Sequence, residues 1–230
     1  MDLSSGALWA ALGSIILANI VLSGDNAVVI AMAARTLPAH QQKKAIFWGS
    51  GAAIVMRIIL TLIAVEMLKW PYLKIVGALL LLYIGISLLS EDSGDEDGHK
   101  EIGSLRAAIQ TILVADLVMS LDNVLAVAAA AKGNTVLLII GLAVSIPLII
   151  FGSTLMLKVM DRFPIIITLG AALLGFLAGE MLLTDPAVTE RFGELSHDVV
   201  NAAGALGAVL VVAVGLWLQR RARARPITPA

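Results

Sequence analysis

Two short stretches hold the residues best suited to chemistry. Ser23-Gly24-Asp25-Asn26 lies inside an apolar run from about Ala7 to Ala34, and Ser120-Leu121-Asp122-Asn123 lies inside another, 97 residues later. At that offset Leu17–Ala34 falls over Val114–Ala131, and eight of the eighteen pairs are identical. Alanine matches are cheap in an alanine-rich chain, so the Ser-x-Asp-Asn identity carries the weight. Asn19 over Asp116 adds a further polar pair. An Asp-Asn pair that recurs in matching apolar surroundings reads as two halves of one site.

The carboxylates argue for function more strongly than the hydroxyls and amides do. An Asp at the centre of a membrane helix costs roughly 2.5–3.5 kcal/mol. Asp25, Asp116 and Asp122 together would therefore cost on the order of 8–10 kcal/mol, as much as the net stability of a domain. Three close carboxylates also repel one another. Either some of them hold protons or a cation sits between them. Asn19, Ser23 and Asn26 are spaced i, i+4, i+7, as are Asp116, Ser120 and Asn123, so each set lines one helix face. Taken alone, Ser23 and Ser120 are accounted for by interhelical hydrogen bonding. On a regular helix Asp25 points about 100° away from Asn26. Gly24 is placed to loosen the first helix there and expose carbonyls, as half-broken helices do in transporters. Leu121 in the second copy makes any such break one-sided.

The donor set selects the ligand. Carboxylate, amide and hydroxyl oxygens suit Mg²⁺, Ca²⁺ or Mn²⁺ rather than copper or zinc. The chain has no Cys, and its three histidines, His40, His99 and His197, fall in predicted loops. Met32 and Met119 stand near the motifs but read as packing. Arg57 sits halfway along an apolar run, too deep for snorkelling. It reads as a counter-charge for the Asp cluster when the site is empty, or as a group for a substrate carboxylate. Glu66 and Glu180 near helix ends are interfacial or line an exit path, with Asn19, Ser23 and Ser120 as further path-lining or ligand candidates.

The elements that must position these groups are membrane helices. The chain is 230 residues long and 59% apolar, with a mean hydropathy of +0.95 and 14% charged residues. A soluble domain is roughly 45–50% apolar even with Gly included. A span needs about 20 apolar residues, and seven runs qualify: about Ala7–Ala34, Ala45–Leu68, Tyr72–Leu89, Leu105–Ala131, Thr135–Val159 (with Pro147 inside), Pro164–Leu183 and Val199–Leu218. The acidic start and long first run speak against a cleavable signal peptide. A net charge of −1 gives no basic footprint for nucleic acid.

Lysine and arginine placement sets the orientation. With the N-terminus outside, the inner loops and tail hold eleven basic residues and the outer loops four, with Arg57 within the membrane. The protein is therefore expected with its N-terminus outside and C-terminus inside. Gly77 over Gly170 and Tyr83 over Phe176, at an offset of 93, extend the repeat to three helices. An odd repeat enters the membrane from the opposite side, the inverted-topology design of secondary transporters, with the site near the midplane. The expected fold is an all-α polytopic membrane protein with seven transmembrane helices, built as two inverted three-helix repeats plus a seventh helix. Residues 1–90 form the first repeat, 91–104 an acidic cytoplasmic linker and 105–184 the second repeat. An extracytoplasmic loop at 185–198, the seventh helix at 199–218 and a basic cytoplasmic tail at 219–230 complete the chain. The seventh helix either closes the bundle or supports a homo-oligomer. The run Glu91–His99 resembles an EF-hand loop, but without flanking helices or the bidentate Glu at position 12 it reads as a solvated linker. The tail arginines suit a topology signal or contact with anionic lipid.

Leu17–Ala33 and Val114–Val124, with their Ser-x-Asp-Asn cores, resemble the TerC family of bacterial integral membrane proteins, close to its short members. The resemblance spans essentially the whole chain, and the length and acidic central loop fit it. It implies a multi-pass protein of the bacterial cytoplasmic membrane, with Asp25, Asn26, Asp122 and Asn123 matching the paired motif and Asp116 the flanking acidic position. Several members are regarded as manganese exporters, within a superfamily that includes exporters of amino acids and other cations. The residues select a hard cation, and the resemblance selects Mn²⁺.

The expected function is export of a divalent metal, Mn²⁺ first, by alternating access. No Walker motif is present, so an ion gradient drives it, and metal/proton antiport is one form. Mn²⁺ is then substrate, and no permanently bound cofactor and no enzymatic activity are expected. The alternative is an exporter of a cationic amino acid or other small solute, using Asp25, Asp122 and Arg57. An intramembrane aspartyl protease would need Gly-x-Gly-Asp, whose first Gly is absent from both motifs. An accessory role, handing metal to a partner during its assembly, is a further reading.

Overall fold

The computed structural model describes residues 13, 24–67, 70–90, 104–130 and 135–223, with side chains at 62, 64–66, 122–130, 135, 137–138 and 145 outside that description. Every element in these residues is helical: α1 (Gly24–Ala34), α2 (Ala39–Met67), α3 (Leu73–Ser90), α4 (Leu105–Ala130), α5 (Thr135–Arg162), α6 (Ile165–Leu183), α7 (Pro186–Phe192) and α8 (His197–Arg223). Among the described residues, five stretches are long and apolar enough to cross a membrane: Ala39–Thr61, Leu73–Ser90, Ile139–Arg162, Ile165–Leu183 and His197–Ala222. In a bilayer, backbone groups must be satisfied within the segment, which is why apolar runs of this length become helices. At about 1.5 Å per residue, the 26 residues of α4 also outrun a hydrocarbon core about 30 Å thick.

Helix limits differ from the apolar runs in one systematic way. Polar flanks join the helices: α2 begins at Ala39 rather than near Ala45, and α8 runs from His197 to Arg223 rather than over 199–218. Hydropathy marks where lipid begins, whereas backbone bonding continues into water. His40 and His197 accordingly sit in first helical turns, exposed, and not in loops. The expected extracytoplasmic loop contains α7, opened by the Asp185 side chain capping Ala187 N–H, with Pro186 in its first turn, and closed by Gly193 at φ 77°. That left-handed conformation favours glycine. Pro147 lies inside α5, where it removes one ladder bond and the helix continues through it.

Helix packing divides the described bundle. α2 packs along α4 and α5, and α1 packs on α2, α4 and α5. Separately, α3, α6 and α8 all pack on one another. The second group is joined by glycines. A Cβ on Gly175 or Gly207 would strike the backbone of the facing helix, as would one on Gly179 against Ala203 and Gly204. Such close approach is how membrane helices associate without a hydrophobic driving force between them. The core runs through both groups, from Val29, Ile30 and Met32 on α1 to Leu174 on α6 and Val211 on α8. Outward residues such as Val55, Leu79, Phe151 and Leu206 are large, apolar and exposed, as lipid-facing positions are.

Candidate ion site

The bundle interior holds one charged constellation among the described residues. Arg57, on α2, forms a salt bridge through Nη2 to Oδ1 of Asp116 on α4, with the two side chains only 3% and 6% exposed. Arg57 Nε donates to Ser120 Oγ at 3.0 Å, and Ser120 Oγ donates to the other Asp116 oxygen at 3.3 Å. Asp116 and Ser120 stand one turn apart on the same face of α4, which lets one guanidinium span both. Thr61 donates to the Arg57 carbonyl at 2.7 Å, a back-bond that satisfies its hydroxyl inside the helix. A buried ion pair survives desolvation only when its remaining polar atoms are also bonded, and the Ser120 hydroxyl supplies that third corner.

Asp25 joins this group from α1. Its side chain is partly buried and accepts the Asn26 N–H at 2.8 Å, and α1 packs on both α2 and α4, which carry Arg57 and Asp116. Asn26 is buried beside it. Two helices thus bring one carboxylate, one guanidinium and one hydroxyl together in an apolar interior, with the Asp25 carboxylate on an adjoining third. The helices carrying the two Ser-x-Asp-Asn motifs are neighbours, since α1 packs on α4.

Of the residues singled out from sequence, Arg57, Asp116 and Ser120 are drawn together, with Asp25 and Asn26 on the neighbouring helix α1. Asp122 and Asn123 lie on α4 with side chains outside the described set, and Asn19 and Ser23 lie outside it altogether. Glu180 is half-buried near the end of α6, and Glu66 lies on α2 with its side chain outside the description. Among the described residues no three acidic or imidazole groups cluster at metal-binding distance. Met32 is fully buried in packing, its sulfur occupying the space where a Cβ on Gly170 would stand, and Met119 is likewise core.

Sequence reasoning missed three polar residues of weight. Ser50 on α2 and Ser153 on α5 are buried with hydroxyls that meet no hydrogen-bond partner among the described residues. Asp185, placed in a solvated loop from its polar neighbours, is fully buried. Its carboxylate accepts N–H groups from Tyr72, Lys74, Ile75 and Ala187 at 2.8–3.2 Å. A carboxylate between two helix starts is favoured by both dipoles. An Asp-Pro pair opening a short helix was the available signal.

The chain matches the model of the integral membrane protein TerC family over residues 4–223. It belongs to that family. Its relatives include the uncharacterized membrane protein YjbE of Bacillus subtilis (strain 168), 48% identical over 167 residues that cover 73% of this chain and 76% of YjbE. YceF of the same organism is 29% identical over 182 residues, covering 75% and 70% of the two chains. YkoY, also from that strain, is 25% identical over 230 residues, covering 90% and 70%. No solved structure matches. This TerC-family chain is accordingly an integral, multi-pass membrane protein of bacterial type.

Proposed function

We propose that this protein is a secondary exporter of a hard divalent cation, with Mn²⁺ as its main substrate. The observation that carries the reading is the buried Arg57–Asp116–Ser120 cluster between α2 and α4, with Asp25 on the adjoining α1. Charge balance favours a divalent ion. Asp25, Asp116 and Asp122 supply three negative charges, Arg57 one positive, and a divalent cation makes the sum zero. Two protons on the carboxylates do the same when the ion has left, so metal/proton antiport keeps the site neutral at both stages. Arg57 is the tethered partner of Asp116 in the empty site, and cation entry draws the carboxylate away from it. Asn26, Asn123 and the Ser120 hydroxyl complete an oxygen donor set. Asn19, Ser23 and Glu180 line the approach.

Seven transmembrane helices in two inverted repeats plus a last helix fit this function, with the N-terminus outside in the bacterial cytoplasmic membrane. Reciprocal packing supports the repeat. If α1, α2 and α3 correspond to α4, α5 and α6, then α2 on α4 has its counterpart in α1 on α5, and α3 on α4 in α1 on α6. Thr61 and Thr154, 93 residues apart, each donate to the carbonyl four residues back at 2.7 Å. The solute reading needs Arg57 for a substrate carboxylate, and Arg57 is already bonded to Asp116 and Ser120.

The test is elemental analysis of cells lacking their own manganese exporter and grown under manganese stress. Native protein is expected to lower intracellular manganese, while Asp25→Asn and Asp122→Asn at equal membrane abundance do not. Unchanged manganese with well-inserted native protein would overturn the metal assignment.

A further inference from the structure

We infer that the bodies that move against one another in this protein are not its sequence repeats but two groups of helices drawn from both: a four-helix body of α1, α2, α4 and α5, and a three-helix body of α3, α6 and α8. The inference deepens the transport reading, on which it rests for its purpose but not for its test.

Polarity separates the two groups. Among the described residues, the buried polar side chains within long helices are Asn26, Ser50, Arg57, Thr61, Asp116, Ser120 and Ser153. All seven belong to the four-helix body, one or more on each of its helices. The three-helix body buries none of its own in that set. Within it α6 and α8 meet backbone to backbone through Gly175, Gly179 and Gly207, while α3 packs on them through side chains, Leu174 and Val211 against Gly85 and Leu89 against Gly215. Helices that meet backbone to backbone have no soft side chains between them to absorb a shift. A dense interior transmits displacement rather than deforming.

Asp185 fastens the three-helix body at one end. Its carboxylate takes N–H groups at the start of α3 from a position just beyond the end of α6. It thereby ties the start of α3 to the chain just past α6, residues 110 and more apart in sequence. Tyr72 is held there at φ 70°, a backbone conformation rare outside glycine. Asp185 is a positioning residue: it makes one rigid unit of α3 and α6 without touching the ion site.

The seam between bodies differs from the α6–α8 contact. Gly77 on α3 faces Val118 on α4, and Gly170 on α6 faces Val28 and Met32 on α1. At both contacts a glycine lies against side chains of the other body and not against its backbone. At the far end of α3 from Asp185, Arg35, just past α1, donates to the Leu88 carbonyl at 2.7 Å. A charged hydrogen bond at one end of a glycine-lined seam suits a contact that opens and closes. Rocking about this seam exposes the charged layer of the four-helix body first to one side, then to the other.

The chain has no Cys, so spin labels can be placed at will on the full-length protein in lipid vesicles. Val55 on α2 with Leu79 on α3 reports across the seam, and Leu79 with Leu169 on α6 reports within the three-helix body; all three positions are exposed. Electron–electron distances are measured with the site empty, after acidification, and with added Ca²⁺, a hard divalent ion that leaves the spin signal undisturbed. The Val55/Leu79 distribution is expected to shift with loading, while Leu79/Leu169 stays narrow and fixed. In Asp185→Ala the Leu79/Leu169 distance is expected to broaden while Asp185→Asn, which keeps one carbonyl acceptor, broadens it less. An unchanging Val55/Leu79 distance, or a Leu79/Leu169 distance that shifts equally in the native chain, would overturn the two bodies. A cross-seam shift in a protein that moves no Mn²⁺ upholds the bodies and removes only the metal reading.

Discussion

The α2–α4 seam and the α6–α8 seam are both tight helix contacts in one bundle, and they are built from opposite materials. Across the first, a guanidinium meets a carboxylate and a hydroxyl. Across the second, glycines let two backbones touch. A membrane helix pair needs only the second kind of contact to be stable. The first kind carries a desolvation cost that packing does not require, and its presence in a chain able to build glycine seams is what supports the proposed ion site. Stability and function are thus written in different residues, and variants can separate them.

The largest effect is expected at the glycine seam. A Cβ on Gly207 would lie against the Gly175 carbonyl, which is backbone and cannot step aside. Gly207→Leu must part α6 from α8, at a cost of about 3 kcal/mol or more, read as loss of folded protein in fluorescence-detected gel filtration. Equal yield and melting temperature would mean that the seam is not structural.

Next comes the ion pair. Asp116→Ala leaves the Arg57 charge buried without its partner, which costs about 3–5 kcal/mol. Replacing both, as Arg57→Met with Asp116→Leu, is expected to restore the native melting temperature while transport stays absent. A double variant that still transports would detach the pair from function; one as unstable as Asp116→Ala would make the pair structural.

Asp185→Ala removes the acceptor for two helix starts. Losing a cap costs about 0.5–2 kcal/mol, so a total of about 1–4 kcal/mol is expected, seen as a lower melting temperature with Asp185→Asn in between. An unshifted melt would mean that water replaces the carboxylate without loss. The smallest effect belongs to Ser120→Ala. It removes one neutral hydroxyl from a charged pair, about 0.5–1.5 kcal/mol in stability, and is expected to weaken Mn²⁺ half-saturation more than maximal flux. A change in maximal flux alone would move Ser120 from ion binding to helix packing.

Part of the candidate site was legible in the sequence because charge inside an apolar run has few explanations. Asp25, Asp116 and Arg57 stood out one by one, and the repeat of Ser-x-Asp-Asn put α1 beside α4. What the pattern could not give was pairing. Arg57 was expected to answer the Asp cluster as a whole, and the fold gives it to Asp116 and Ser120, because two residues one turn apart on α4 face the same turn of α2. Asp185 escaped because its neighbours Thr184, Glu190 and Arg191 are polar, and nothing in one dimension says that a carboxylate 110 residues downstream meets the N–H of Ile75. Helix existence was set by hydropathy; helix ends were not, since α2 and α8 extend past the apolar stretch into polar sequence that still forms ladder bonds. The grouping of α3 with α6 and α8 was hidden too. Glycine spacing hints at close contact but does not name the partner.

The most direct measurement is flux of radioactive Mn²⁺ into vesicles containing purified protein, with an outward proton gradient, for the native chain, Asp116→Asn and empty vesicles. Proton-driven accumulation by the native chain, and none by Asp116→Asn at equal reconstitution, is the predicted result. Native vesicles that take up no more Mn²⁺ than empty ones, or an Asp116→Asn variant that matches the native chain, would contradict it.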